Sequence, residues 1–239
     1  MLFQSALAAL RQVFSAPFRG ILWKSIGLTV GLLVMLWIGL TQLFSTFLEG
    51  HPLSESYPVL DGFAFFLAGA GLFVALAYLL PAISALVAGF FLDEAAEIVE
   101  RSDFPADAPG RELPLGTALL YGLRFAGLSL IVNLAALTLF FVPVVNLVVF
   151  FGANAYLLGR EYFEMAAGRF RPIAEARAMR HYHRGTIWLT GGLLAGLVLV
   201  PIANLLTPLF GIALMVHMHK RIAARDQLAA DRAAARLAR

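Results

Sequence analysis

GTIWLTGGLLAGLVLVPIANLLTPLFGIALMVHMH, residues 185–219, contains no Asp, Glu, Lys or Arg. About 18 uncharged, apolar residues in a row already mark a membrane segment. FAGLSLIVNLAALTLFFVPVVNLVVFFGANAYLLG, residues 125–159, is a second run of the same kind. As one straight helix it would be about 52 Å long at 1.5 Å per residue, whereas the hydrocarbon core of a bilayer is about 30 Å thick. Each run therefore has to bend. Both carry the same short phrase near the middle: Val142-Pro143-Val144-Val145-Asn146-Leu147 in one, Val200-Pro201-Ile202-Ala203-Asn204-Leu205 in the other. The arms on either side are marginal for spanning and comfortable for a re-entrant hairpin. Pro143, Asn146, Pro201 and Asn204 are then the hairpin tips. In the second unit Thr207-Pro208 reads as an N-cap followed by proline at the first helical position. Non-helical backbone at membrane depth must be buried in protein or line a wet cavity. The alternative is six full spans with tight outer turns, in which Asn146 and Asn204 only cap helices.

Two further uncharged runs, Ser25–Leu48 and Gly62–Leu92, are long enough to span. The second contains Pro81, where a kink is expected. Glu49–Asp61 has the prolines, glycine and serines of a turn, and DFPADAPGRELP, residues 103–114, reads as loop. Ahead of the first run, Leu2–Ser15 is an amphipathic helix: Phe3, Ala6, Leu7, Leu10, Val13 and Phe14 share one face, with Gln4, Arg11 and Gln12 opposite. Beside a span it is expected to lie in the membrane interface, and Pro17 is expected to end it. No cleavable leader is expected, because the apolar run after Arg11, Arg19 and Lys24 is too long for one.

The expected fold is thus an all-α integral membrane protein, one membrane domain over residues 1–239. It comprises an interfacial helix over 1–16, two long transmembrane helices over 21–92, re-entrant hairpins over 116–159 and 185–219, and a basic tail over 220–239. Composition agrees: 60% of residues are hydrophobic and 14% charged, against about 25% charged in soluble domains. None of the 18 Lys and Arg residues falls in Glu49–Asp61. The positive-inside rule puts that loop outside and the other polar segments in the cytosol, which implies a multi-pass protein of the cell inner membrane. Lys220–Arg239 suits a helix beside anionic headgroups.

Reactive chemistry is sparse. There is no cysteine, no phosphate-cradling G-x-x-x-x-G-K-[ST] loop and no G-x-S-x-G elbow. No carboxylate lies in an uncharged run, which argues against an intramembrane proton relay. His181-x-His183 and His217-x-His219 point to different sides of a helix and cannot share one ion; they read as interface histidines beside Arg180, Arg184 and Lys220. No enzyme activity, cofactor, metal or nucleic-acid partner is expected. Gly27, Gly31, Gly69, Gly71, Gly191, Gly192 and Gly196 suit close helix approach. Trp23 and Trp188 suit the aromatic belt, and Trp37 suits helix packing. The stretch Ser15-Ala16-Pro17-Phe18-Arg19-Gly20 sets one guanidinium beside the free N–H groups of a helix start, which is an anion site. The plainer reading is an arginine that snorkels to headgroups.

With Pro17-Phe18-Arg19, FFLDEAAEIVE (Phe90–Glu100), the VPVVN and VPIANL phrases, GREYFE (Gly159–Glu164) and MVHMHKR (Met215–Arg221) in this order, the chain resembles the CysZ-type sulfate permeases, grouped with etoposide-induced-protein-like membrane domains. The resemblance implies two spanning helices, two hemi-penetrating hairpins, homo-oligomerisation, and sulfate uptake for sulfur assimilation without ATP. It implies a sulfate site at Phe18, Arg19 and Gly20, where the family's stretch is Gly-Leu-Arg-Arg-like. Arg19 retains the first arginine, and Gly20 stands at the second. Three functions follow as candidates: a passive permease for sulfate or a similar oxyanion, a non-transporting membrane structural or assembly protein, and a membrane enzyme built on Asp93, Glu94 and Glu97.

Overall fold

The computed structural model describes residues 1–50, 62–63, 66–74, 76, 83, 87, 90–112, 114, 116, 131, 143–200 and 206–238, without the side chains of 47–50 and 143–146. Pro81, Pro201, Asn204 and residues 51–61 of the loop expected on the outer side lie outside the described residues. Seven helices are bounded among them: α1 (Leu2–Val13), α2 (Ala16–Gly50), α3 (Leu92–Asp103), α4 (Pro143–Gly168), α5 (Ile173–Tyr182), α6 (Arg184–Val198) and α7 (Thr207–Leu237). Residues 1–19 with 91–239 form one compact unit, and residues 20–90 a second.

The first unit is organised around α7. Its residues Leu209 to Met218 are buried on every side, as befits a helix segment apolar all round. Helices α1, α3, α4 and α6 pack on it. Pro208 sits in its first turn with Leu206 as N-cap, so the helix begins one residue ahead of the Thr207 cap expected from the sequence. It runs without a break through Lys220 into the basic tail, whose last turns are exposed.

Helix α4 is described from Pro143 onward and includes the backbone of Asn146. The helix also continues past Gly159, through Arg160 and Glu161, to Gly168. Helix α6 crosses α4 at very close range. A Cβ on Gly191 would meet the carbonyl oxygen of Ala155 and, at 2.7 Å, the amide of Gly159; a Cβ on Gly159 would meet the Ile187 carbonyl at 2.7 Å. The backbones touch, which only small residues permit. Of the glycines expected to serve close approach, Gly191 does so. Gly192 is 4.0 Å from its neighbours, and Gly27, Gly31, Gly69, Gly71 and Gly196 have open space.

Helix α1 differs from the sequence expectation. Ser5, Ala9, Gln12 and Val13 are its buried residues, and they pack it against α7. Gln12, assigned to the outer polar face, is inside because it donates to Ser102 Oγ at 2.8 Å and shares a hydrogen bond with His217 Nε2 at 3.0 Å. Phe3, Leu7, Leu10 and Phe14 remain exposed, an apolar stripe that the rest of the unit does not cover. The helix ends at Val13, and Pro17 belongs to the first turn of α2. Pro17 therefore opens the second helix rather than closing the first.

Ala16–Thr46 of α2, which enters the second unit at Gly20, is the one described helix long and apolar enough to cross a membrane, and almost none of its most apolar stretch is buried. Trp23, Val30, Met35, Ile38 and Leu43 are exposed on all sides, and Trp37, expected to pack, is exposed too. A core helix of a soluble protein would be covered. The described residues from Gly62 to Leu76 are helical and largely exposed as well.

Gly191→Ala should lower the thermal unfolding midpoint in detergent, by the equivalent of about 1–3 kcal/mol or more. Gly192→Ala, one residue away with room for its methyl group, should leave the midpoint unchanged or raise it.

Candidate anion site and the ionic network behind it

The chain turns from α1 to α2 over Phe14 and Ser15. The Ser15 N–H donates to Gln12 O at 2.8 Å, and the Arg19 N–H donates to Ser15 O at 3.0 Å. Phe18 is fully buried and anchors the turn. Arg19 and Gly20 are exposed. Among the described residues, no carboxylate pairs with the Arg19 guanidinium. A Cβ on Gly20 would meet no atom within 4 Å. Two of the three residues are thus presented outward and the third holds them in place. The free backbone donors expected there are fewer than the sequence suggests: the Arg19 N–H is already spent on Ser15, and Pro17 has none.

Most other charges in the first unit are committed to structure. Glu164 on α4 is buried, with its carboxylate 2.9 Å from Arg180 Nε, 3.3 Å from Arg177 Nε and 3.5 Å from Arg160 Nε. Glu100 on α3, also buried, accepts from Arg169 Nε at 2.7 Å and from the Gly110 N–H at 2.8 Å. Asp93 binds the same arginine. A Cβ on Gly110 would lie 2.8 Å from Glu100 Oε1 and 3.0 Å from Arg169 Nε, so a side chain there would have to push the ion pair aside. The Glu100–Arg169 pair therefore joins the end of α4 to α3 and to the loop after α3. That loop is tied again by Lys220 on α7, 2.9 Å from Asp107 and 4.1 Å above the Phe170 ring.

Two of the histidines, His217 and His219, are buried rather than placed at a surface, while His181 is exposed beside Arg180 as expected. His217 is buried between Gln12 and Asp103, whose carboxylate is 3.5 Å away. His219 is buried face to face with Phe170, with ring centroids 4.9 Å apart. His183 pairs with Asp226 at 3.0 Å, and His181 lies 3.0 Å from Arg180. Apart from Arg180, the neighbour of His181, these partners come from distant parts of the chain, so no local pattern reveals them. The signal present in the sequence is the charged phrases themselves. FFLDEAAEIVE supplies Asp93 and Glu100, GREYFE supplies Arg160 and Glu164, and MVHMHKR supplies His217, His219 and Lys220. Asp93 serves this network, and Glu97 pairs with Arg101 one turn away.

The sequence matches the family described as Sulfate transporter CysZ/Etoposide-induced protein 2.4 over residues 5–208. The chain belongs to this family. The match takes in Phe18, Arg19 and Gly20, and it ends where α7 begins, so most of the buried central helix lies beyond it. No curated protein matches the chain. Membership agrees with an all-helical architecture among the described residues and with the uncovered apolar helix α2.

Glu164→Ala should cost about 3 kcal/mol or more of stability in detergent, because it strands the buried Arg180 guanidinium. Glu97→Gln, at an exposed pair, should cost about 0.5 kcal/mol or less.

Proposed function

We propose that this protein is a passive permease for sulfate or a similar oxyanion, working as a homo-oligomer in the cell inner membrane and supporting sulfur assimilation. The observation that carries the reading is Arg19, an exposed guanidinium without a carboxylate partner at the head of α2, within a chain of the sulfate transporter family. A cation that no acid neutralises attracts anions to the start of an apolar helix. Phe18 holds the turn, and Gly20 keeps the approach open. With one arginine rather than two, the site has fewer donors, so binding is weak and salt-sensitive.

Two helix lengths support re-entrant hairpins. Helix α6 has 15 residues, about 22 Å. The uncharged part of α7, Thr207–His219, is about 20 Å long. Both fall short of the roughly 30 Å core. Pro143 and Pro201 then mark the tips, with Asn146 and Asn204 beside them. The exposed stripe of α1 and the bare sides of α2 call for lipid or further copies of the chain as cover.

A second reading, a non-transporting membrane protein of the same fold, is favoured by the family description itself, which also names etoposide-induced protein 2.4. Sulfate flux into proteoliposomes separates the two. Wild-type protein should conduct without ATP, and Arg19→Ala should reduce flux severalfold with the oligomer intact by size exclusion. Arg19→Lys should rescue only in part, since it lacks the planar fork. Gly20→Arg, which has room, should tighten sulfate binding. Folded wild-type protein without flux would favour the structural reading, and normal flux in Arg19→Ala would reject the site while keeping the permease.

Topology is tested in the same cysteine-free background. A membrane-impermeant maleimide applied from outside should label Ser54→Cys and spare Val145→Cys and Ala203→Cys. Labelled tips would favour six full spans.

A further inference from the structure

The junction of α4, α5 and α6 holds a cavity of about 320 Å³ lined by Tyr156, Arg160, Arg180, Arg184, Gly185, Ile187 and Trp188. All seven belong to the first unit, and the Arg19 turn takes no part. Three lining residues are arginines, and none is acidic. Glu164 offsets part of this charge, its single carboxylate lying within 4 Å of Arg160, Arg177 and Arg180. Arg184 is exposed, and no carboxylate pairs with it among the described residues. Arg180 is more than nine-tenths buried, and its Nε and that of Arg160 face the Glu164 carboxylate. The cavity wall thus carries three guanidinium groups and no acid in a partly desolvated setting, where an anion is held more strongly than at an open surface.

We infer that this cavity is a second anion site, and that it takes a tetrahedral oxyanion group, phosphate or sulfate. Guanidinium forks match the oxygens of such a group in pairs. Tyr156, Ile187 and Trp188 form an apolar wall beside the arginines and at the start of helix α6, which carries no charge after Arg184. An anionic lipid headgroup fits both halves, phosphate on the arginines and glycerol or chain carbons on the wall. A free inorganic ion uses the arginines alone. The site goes beyond the proposed permease reading and does not depend on it.

The test uses Trp188 as reporter. The chain has 3 tryptophans, so Trp23→Phe with Trp37→Phe leaves Trp188 alone at the cavity. Detergent-solubilised full-length protein is titrated separately with sodium sulfate, sodium phosphate, short-chain phosphatidylglycerol and short-chain phosphatidylcholine at constant ionic strength. The expected result is a saturable change in Trp188 emission, weakened at least fivefold by Arg184→Ala and unmoved by Arg19→Ala. Arg184 makes no ion pair that the fold needs, so its replacement should leave the unfolding midpoint unchanged. A response to phosphatidylglycerol alone identifies the lipid headgroup as source, and a response to the inorganic salts identifies the free oxyanion. No saturable response to any anion, an equal response to phosphatidylcholine, or a response indifferent to Arg184 would overturn the inference. Loss of binding in Arg19→Ala would transfer the anion to the other site. Absence of sulfate flux would leave this result standing, so the two readings fail separately.

Discussion

The first unit depends on covering α7. From Leu209 to Met218 this helix has no side that tolerates water, so neighbours must surround it. Helices α1, α3, α4 and α6 do so. The polar groups drawn into the same place then dictate details elsewhere. His217 needs a partner, and Gln12 of α1 and Asp103 at the end of α3 provide it. His219 has no hydrogen-bond partner for either ring nitrogen and is held by the face of Phe170 instead. Gly211 lets the Tyr162 ring come within 3.0 Å of where a Cβ would sit. The position of α1, and so the turn that carries Arg19, follows from α7 being wrapped.

A division of labour among cations follows from burial. Arg169 is buried, so it must be paired, and Asp93 and Glu100 pair it. Arg180 is buried and leans on Glu164. Removing one member of such a pair strands the other, which is why these contacts tie helices together even if their net contribution is small. Arg19 and Arg184 stand in water or at a rim and have no carboxylate among the described residues. Cations that the fold has not neutralised are the ones available to an anion, and both lie at the head of an apolar helix, α2 and α6. The two candidate sites share this arrangement without sharing a residue.

Several elements were legible beforehand because their cause is local. The uncharged stretch after Lys24 became the bare helix α2, and DFPADAPGRELP ends α3 at Asp103 as its prolines and glycine require. The basic tail is helical, as its alanines favour. The misread points have a tertiary cause. Gln12 was placed outward by helical periodicity, but a hydrogen bond to His217 outweighs the face rule. Pro17 looked like a terminator and is an initiator, since proline is equally suited to the first turn of the next helix. Seven glycines looked equivalent for close approach; Gly191 was distinguished only by the α4 backbone lying against it, and Gly159, its counterpart, carried no special mark.

What the sequence by itself determined is the class of protein. Four uncharged runs mark a membrane protein, and α2 is the described helix that carries that signature in full. The sequence also singled out Arg19, because a lone cation before an apolar run is visible in one dimension. Only the tertiary structure decided which other cations are free. Arg160, Arg180 and Arg184 are indistinguishable from Arg169 on paper. Their pairing depends on which carboxylates lie within about 4 Å after folding, and Glu100 reaches Arg169 across 69 positions of chain. Coulomb interaction and desolvation are set by distance and burial, and neither quantity exists until the helices have packed.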